Sequence, residues 1–159
     1  MNLDESPHAE PVTQPAYAML LLNSYRSMTG CDLLPPAASI EAAADALFHA
    51  PFVVLSHNTS PDPVFVYANL AAQERFAMSL QEIIGLPSRY SAEPMARSER
   101  QRLLERVTTQ GYINDYRGVR IDRNGKRFEV RHATVWNVID ECGKVIGQAA
   151  TFNQWRDMA

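Results

Sequence analysis

Two short turns in the second half of the chain constrain its fold more than any other feature. Residues 122–125 (DRNG) end in Asn-Gly, the strongest short-range signal for a β-hairpin. Residues 140–143 (DECG) have a similar turn-forming composition. The stretches around these turns, residues 112–121, 127–139 and 145–152, are rich in β-branched and aromatic side chains. The sequence therefore predicts three consecutive antiparallel strands joined by two hairpins.

The upstream residues predict two further strands and a long helical crossover. Residues 52–56 and 64–67 are short apolar runs on either side of a turn cluster. Residues 69–111 have the spacing of three helices, the last of them ended by Gly111. This order is typical of an α+β domain with a five-stranded antiparallel sheet and its helices on one face. Such a crossover forms a concavity against the sheet, where small ligands commonly bind.

The first fifty residues show no strand pattern. Residues 1–15 place three prolines among polar residues and are predicted to form a flexible arm. Residues 16–50 predict two N-terminal helices separated by a Pro-Pro pair. The chain therefore divides into an arm, a helical segment and a sheet domain at residues 51–159.

The first N-terminal helix predicts self-association. Its apolar residues Met19, Leu20 and Leu22 precede the sheet domain and are not evidently needed for its core. Soluble monomers avoid exposed apolar patches, and a helix this short is marginal in water unless it docks. It could dock on its own sheet or across a two-fold axis, and we favour the second. The sequence thus predicts a homodimer with these three residues at the interface.

Charge and composition argue against several functional classes. The net charge is −3, and a local excess of eleven bases over six acids at residues 89–131 is interleaved with those acids. The sequence pI of about 5.8 is also not that of a nucleic-acid-binding domain. No apolar run approaches the roughly 18 residues of a membrane span, and the acidic N-terminus does not resemble a secretory signal. We expect a cytoplasmic protein that binds neither membrane nor nucleic acid.

The predicted concavity would be lined from both layers. On strand 127–139, His132 alternates with the apolar residues Val130 and Trp136. If that face points inward, His132 lies in the cavity and titrates near physiological pH; the alternative is a core histidine satisfied by a neighbour. A one-residue bulge would exchange the inward and outward residues of this strand. The candidate ligand-binding residues are Phe76, Tyr90, Leu103, Val107, Tyr116, His132 and Trp136.

Five short strings along the chain resemble those of a known domain family. Residues 64–72 (VFVYANLAA) and 83–85 (IIG) are similar to the second strand and following helices of the PAS sensory fold. Residues 88–94 (SRYSAEP), 111–120 (GYINDYRGVR) and 135–137 (VWN) more narrowly resemble MEKHLA domains. This PAS-related family includes stand-alone bacterial proteins. The resemblance therefore implies a PAS-like fold with a sensory or protein-interaction role.

The resemblance covers about residues 16–155 and brings no established catalytic residues. Flavin-binding PAS domains share an Asn-Cys-Arg-Phe-Leu stretch, and neither Cys31 nor Cys142 lies in one. Haem-binding PAS domains commonly use a helical His, and residues 92–110 contain none. The two cysteines also form no zinc or disulfide pattern. We therefore predict no cofactor and no metal, and we expect neither flavin nor haem.

The leading hypothesis is a stand-alone sensory or regulatory module that binds an unidentified small molecule or a regulatory protein without catalysis. A second hypothesis is a protein-interaction module whose cavity is filled by its own side chains. A third is a small α+β enzyme in which His132 and either Asp115 or Glu129 form an acid–base pair. In a regular strand Glu129 and His132 point to opposite faces, so we predict that the protein is not an enzyme.

Overall fold

The computed structural model of the protein describes residues 15–92 and 94–158, and the predicted arm lies outside them except for Pro15. The elements follow in the order α1 Pro15–Thr29, α2 Ile40–Phe48, β1 Val53–Asn58, β2 Phe65–Ala68, α3 Leu70–Phe76, α4 Leu80–Ile83, a 3-10 turn Ser88–Ser91, α5 Pro94–Gln110, β3 Tyr112–Ile121, β4 Arg127–Ile139, β5 Val145–Phe152 and β6 Gln154–Asp157. The three long strands begin and end at the predicted residues, because sharp turns bound them.

The strands form one antiparallel sheet with the order β2-β1-β5-β4-β3, and β6 also pairs with β4. The predicted α+β class with an antiparallel sheet is confirmed. The described sheet has six strands rather than five, because the chain turns back after Phe152 and pairs β6 with the start of β4, from Phe128 to Arg131. Strand β4 therefore contacts β3 along one edge and first β6, then β5, along the other.

Strand β4 contains a bulge at His132. The backbone φ of His132 is 55°, in the left-handed region, at the junction between the residues paired with β6 and those paired with β5. A bulge adds one residue to a strand and shifts the alternation of its side chains between the two faces. The side chains that face the same cavity therefore follow an interrupted spacing: Val130, Ala133 and Val135.

Helices cover both faces of the sheet, whereas the sequence predicted one. Helix α5 packs against β3 and β4, on the sheet face that carries the side chain of Val135. Helix α1 packs on the opposite face against β4, where Tyr25 meets Trp136 edge-on with ring centroids 5.0 Å apart. Ser24 Oγ also accepts a hydrogen bond from Ile139 N at 2.8 Å. Neighbouring residues of a strand point to opposite faces, so Val135 packs on the α5 side of the sheet and Trp136 packs on the α1 side.

The predicted interface residues of α1 are partly buried within the chain. Leu20 and Leu22 pack against the main core, and Met19 and Leu22 line a groove between α1 and α2. The helix docks on its own sheet, which is the alternative that the sequence did not favour. The homodimer itself stays a prediction.

Candidate functional site

A cavity of about 80 Å³ lies between α5 and the sheet, on the face opposite α1. Since about 10–15 Å³ of such volume is enough for one water molecule, the cavity has room for several waters. Residues of β1, β2, α3, α5, β3, β4 and β5 all contribute to its wall. The apolar part of that wall includes Leu55, Phe65, Phe76, Leu103, Leu104, Val130, Ala133, Val135, Ala150 and Phe152.

A pair of buried side-chain amides stands at one edge of the cavity. Gln148 on β5 and Asn137 on β4 are register partners, and Gln148 Nε2 donates a hydrogen bond to Asn137 Oδ1 at 3.0 Å. Asn137 Nδ2 in turn donates to Val107 O in α5 at 3.1 Å. This pair therefore joins α5 to the sheet. Because Gln148 also lines the cavity, it presents a polar group to a bound ligand.

Three basic side chains stand on the cavity wall: His57 from β1, Arg100 from α5 and Arg120 from β3. His57 Nδ1 donates to the Asn58 carbonyl oxygen at 2.9 Å. Burial lowers the pKa of His57, and the positive charges of Arg100 and Arg120 lower that pKa further, against the opposing effect of its backbone hydrogen bond. His57 is therefore neutral at pH 7.

Aromatic contacts and burial define the Tyr116 side of the cavity. The guanidinium carbon of Arg120 lies 5.2 Å from the centre of the Tyr116 ring, within the range of a cation–π contact. Burial raises the pKa of the Tyr116 hydroxyl and lowers the pKa of the Arg120 guanidinium. Tyr116 stays neutral at pH 7, and an arginine stays charged even when its pKa is lowered.

The structure brings three of the predicted ligand-binding residues to the cavity: Phe76, Leu103 and Tyr116. Val107 lies one helical turn beyond Leu103 and is buried in the same small cluster, outside the cavity wall. Tyr90 is 47% exposed and packs on the surface beside Arg89, with the guanidinium carbon 4.4 Å from its ring centre. Tyr90, in the 3-10 turn, is therefore not part of the cavity wall.

The prediction that His132 and Trp136 face the cavity is wrong. His132 is exposed at the bulge, and Trp136 is fully buried on the opposite face, beneath α1. The bulge is the physical reason, because it exchanges the faces of the residues that follow it. Ala133 and Val135 occupy the inward positions that the uninterrupted alternation assigns to His132 and Trp136.

The hypothetical acid–base pair of the enzyme alternative does not form at the cavity. Asp115 is exposed and lies 4.0 Å from Arg106. Glu129 is held by Arg117 and by Arg131, which lower the pKa of its carboxyl group. Neither acid lines the cavity, and His132 is exposed.

The sequence reasoning missed the basic and amide residues of the wall. The period of two along β3 would have placed Arg120 on the same face as Tyr116. Asn137 and Gln148 carry a different signal, because polar residues in the middle of predicted apolar strands are buried only with partners. His57 lies beside an irregularity in the β1–β2 register, so its spacing alone did not indicate its face.

Two further kinds of site are absent from residues 15–92 and 94–158. No helix there has the length and apolar character that crossing a membrane requires. No three His, Cys, Asp or Glu side chains there come together as a metal site would need.

Comparison with solved structures shows the PAS fold. The PAS domain of a protein from Colwellia psychrerythraea superposes with a TM-score of 0.61 at 14% identity, covering 72% of this chain and 92% of that chain. A fungal light-oxygen-voltage (LOV) domain photoreceptor superposes with a TM-score of 0.58 at 20% identity, covering 86% and 90%. A LOV domain whose mechanism was studied with a flavin analogue gives 0.54 at 18% identity, covering 73% and 84%.

The LOV neighbours contradict the prediction that the domain has no cofactor and that flavin is not expected. One of those structures concerns a flavin analogue. The prediction depended on a missing Asn-Cys-Arg-Phe-Leu stretch. Such a stretch indicates where a thiol stands, but it does not indicate whether a fold encloses a pocket for a ring.

The family comparison agrees with the strings noted in the sequence. The model of the MEKHLA domain matches residues 16–157, which includes both N-terminal helices and all six described strands. A search of curated protein sequences gave no match. The predicted resemblance is confirmed, and the fold is that of PAS domains. The chain belongs to the MEKHLA domain family.

Proposed function

We propose that this MEKHLA domain is a regulatory module that binds one small organic ligand in the cavity beneath α5 and does not transform it. The observation that carries the proposal is the composition of the cavity wall. Apolar side chains form most of it, and a few polar groups, chiefly Gln148, Arg120 and His57, stand at fixed places. Ligand sites typically combine a largely apolar surface with a small number of orienting polar groups.

The position of the titratable groups supports binding over catalysis. A general acid–base pair needs two groups of suitable pKa within hydrogen-bond reach of the reacting atoms. His57 is the histidine on the described wall, and its Nδ1 is engaged by the Asn58 carbonyl oxygen. Among the described residues of the wall, no carboxylate accompanies it.

Flavin is one ligand class whose chemistry suits this donor set. Gln148 would hold the polar edge of a planar ring, and side chains such as Leu103 and Phe152 would contact its faces. A bound flavin supplies light absorption and electron transfer. Pockets for drug-sized ligands span about 300–1,000 Å³, so α5 would have to move outward for a ring of that size. Cys31 and Cys142 are exposed and do not line the cavity.

The sheet offers a short route from the cavity to the opposite helix. Val135 lines the cavity, and the next residue, Trp136, packs against Tyr25 of α1. Since the two residues are joined by one peptide bond, a ligand that shifts the backbone at Val135 would also shift Trp136. We propose α1 as the element through which occupancy of the cavity reaches a partner protein or a second copy of the chain. The cytoplasmic location stays a prediction.

Native mass spectrometry of the purified chain tests the proposal. We expect a mass above that of the polypeptide by one small molecule, released on denaturation. Ala150→Leu fills the cavity wall and should abolish the added mass, whereas Ala38→Leu at an exposed site should retain it. A bare polypeptide mass, with no small molecule that stabilises the fold, would instead favour the interaction module with a filled core.

A further inference from the structure

We infer that the ligand of this cavity is an organic acid whose carboxylate or phosphate group binds the guanidinium of Arg120. This inference rests on the proposed function, because it names the chemical class of ligand that the same cavity takes. Its basis is the state of Arg120 in the ligand-free fold.

One nitrogen of the Arg120 guanidinium is buried, and no counter-ion among the described residues pairs with that side chain. Its Nη1 atom is inaccessible to solvent and has no hydrogen-bond partner in the part of the chain that the structure describes. The Tyr116 ring lies against the guanidinium, but a ring face does not replace a hydrogen-bond acceptor. A buried charge is strongly unfavourable unless it is paired. The fold therefore maintains, beside an open cavity, a charged group that an anion would complete.

Two other arginines of the described chain form ion pairs at the surface. Arg117, on the same strand as Arg120, binds Glu129 at 2.9 Å. Arg89 binds Asp62 through two hydrogen bonds of 3.0 and 3.2 Å. Each of these pairs lies at the surface, where an ion pair contributes little to stability. Arg120, in contrast, has a buried Nη1 atom with no hydrogen-bond partner among the described residues.

No acidic side chain of the described chain competes for the guanidinium inside the cavity. The carboxylate whose field reaches both Arg120 and Tyr116 is that of Glu99. Glu99 is exposed on α5, and no ion pair joins it to Arg120 among the described residues. Among the described residues no acceptor serves Nη1 of Arg120, and a molecule that enters the cavity would supply one.

Arg100 also favours an anion in the cavity, and His57 does so once it is protonated. Arg100 lines it from α5 and donates a hydrogen bond from Nη1 to Ser88 Oγ at 3.2 Å. His57 lines it from β1. Arg100 and Arg120 are cationic donors on the same cavity wall. Such donors favour carboxylate and phosphate groups, and a guanidinium can bind either group through two hydrogen bonds. An anion bound there would also raise the pKa of His57 toward its ordinary value.

The rest of the wall specifies the remainder of the ligand. Phe76, Leu103 and Phe152 present apolar surface on the same cavity. An inorganic anion would leave that surface facing water, so the acid group is expected on an aromatic or aliphatic body. The small volume of about 80 Å³ favours a compact body unless α5 moves.

Matched acids and neutral amides test the inference on the full chain. Binding is measured by NMR titration with benzoate against benzamide and hexanoate against hexanamide, with phenyl phosphate to distinguish a phosphate from a carboxylate. We expect each acid to bind at least about tenfold more tightly than its amide. Arg120→Gln should weaken acid binding about 10- to 100-fold and leave amide binding unchanged. Arg117→Gln, on the same strand, should leave both unchanged.

The stability of the Arg120→Gln variant separates ligand binding from a purely structural role for Arg120. Because Arg120→Gln removes a buried unpaired charge, we expect the ligand-free variant to unfold at the same temperature or a higher one. Should this variant fold poorly, the pKa of His57 in the unaltered protein provides the readout: benzoate should raise it and benzamide should not. Equal binding of acid and amide, unchanged acid binding by Arg120→Gln, or no binding of any acid would each overturn the inference.

The same experiments separate this inference from the proposed function. A neutral molecule retained in native mass spectra, together with failure of every acid to bind, overturns the acid ligand and leaves the ligand-binding function standing. A cavity that retains and binds nothing overturns both.

Discussion

Asn69 and Val54 hold each other by two hydrogen bonds: Val54 N donates to Asn69 Oδ1 at 3.0 Å, and Asn69 N donates to Val54 O at 3.0 Å. The same side-chain oxygen accepts from Ala72 N at 3.0 Å and caps α3. The amide nitrogen donates to Leu47 O at 3.1 Å and to Phe52 O at 2.9 Å. Asn69 is fully buried, so one side chain joins α2, β1 and α3 beneath the crossover.

Asn69→Ala should lower the free energy of unfolding by about 3–5 kcal/mol, because several buried backbone groups would lose their partners at about 1–3 kcal/mol each. Urea denaturation followed by circular dichroism measures the change. Ser79→Ala removes an exposed helix cap at α4 and serves as the control, with an expected loss of about 1 kcal/mol. A loss for Asn69→Ala no larger than that of the control would show that the network does not hold the elements together.

Glycine is expected to stabilise the fold at the bulge position, residue 132. His132 adopts a φ of 55°, a conformation that costs a residue with a side chain about 1–2 kcal/mol. We expect His132→Gly to raise the free energy of unfolding by about 0.5–1 kcal/mol, the relief being partly offset by greater chain entropy in the unfolded state. Thr134→Gly, in the regular part of the strand, should lower it instead. Equal destabilisation by both would contradict the geometry of the bulge.

Stability should fall as the pH drops below the ordinary pKa of histidine. Burial, reinforced by Arg100 and Arg120, lowers the pKa of His57 in the fold from 6.5. Between the folded-state pKa and 6.5 the unfolded chain binds more protons, so the free energy of unfolding decreases with decreasing pH. Above that window the contribution of neutral His57 is fully present.

Urea denaturation between about pH 8 and pH 5 measures this dependence, since histidine titrates in that range. His57→Asn should flatten the slope, because no imidazole remains to be protonated at the cavity. His132→Asn, at an exposed position, should keep it. An unchanged slope in His57→Asn would assign the effect to another group.

The docking of α1 determines how the predicted homodimer is tested. Deleting the helix would uncover the sheet face beneath Tyr25 and Leu21, so loss of the dimer and loss of the fold would coincide. Leu22→Arg changes a partly buried residue of the groove between α1 and α2. Ser27→Arg, at an exposed position of α1 outside that groove, serves as the control. Light scattering should give two chains for the unaltered protein and the control, and one for Leu22→Arg. A monomer of the unaltered protein at micromolar concentration would refute the dimer.

The long strands were predictable because the residues of each connecting turn identify it as a hairpin. Gly125 and Gly143 end the two hairpin turns with φ of 82° and 84°, which other residues rarely adopt. Strand β6 was not predictable, because its four residues are all exposed and carry no alternating pattern. It forms a strand because the edge of β4 before the bulge is available to pair with it.

The cavity was predictable only in part, for the same kind of reason. Phe76, Leu103 and Tyr116 follow from helix spacing and strand alternation. In the sequence, Val130, His132 and Trp136 fit one uninterrupted alternation of side chains between the two faces. Only the backbone conformation at His132 shows that a bulge interrupts this alternation. Which face of the sheet α1 covers also depends on packing, because an apolar helix face fits any complementary surface.

The bulge makes the length of β4 a stricter requirement than its composition. One extra residue at His132 decides the face of every later side chain, so losing or gaining a residue there would turn Trp136 toward the cavity and Val135 toward α1. The side chains that line the cavity and those that pack against α1 would then exchange faces. Substitutions along the strand alter one contact at a time. Insertions and deletions are therefore expected to be tolerated at the hairpin turns and excluded from the stretch between Arg131 and Thr134.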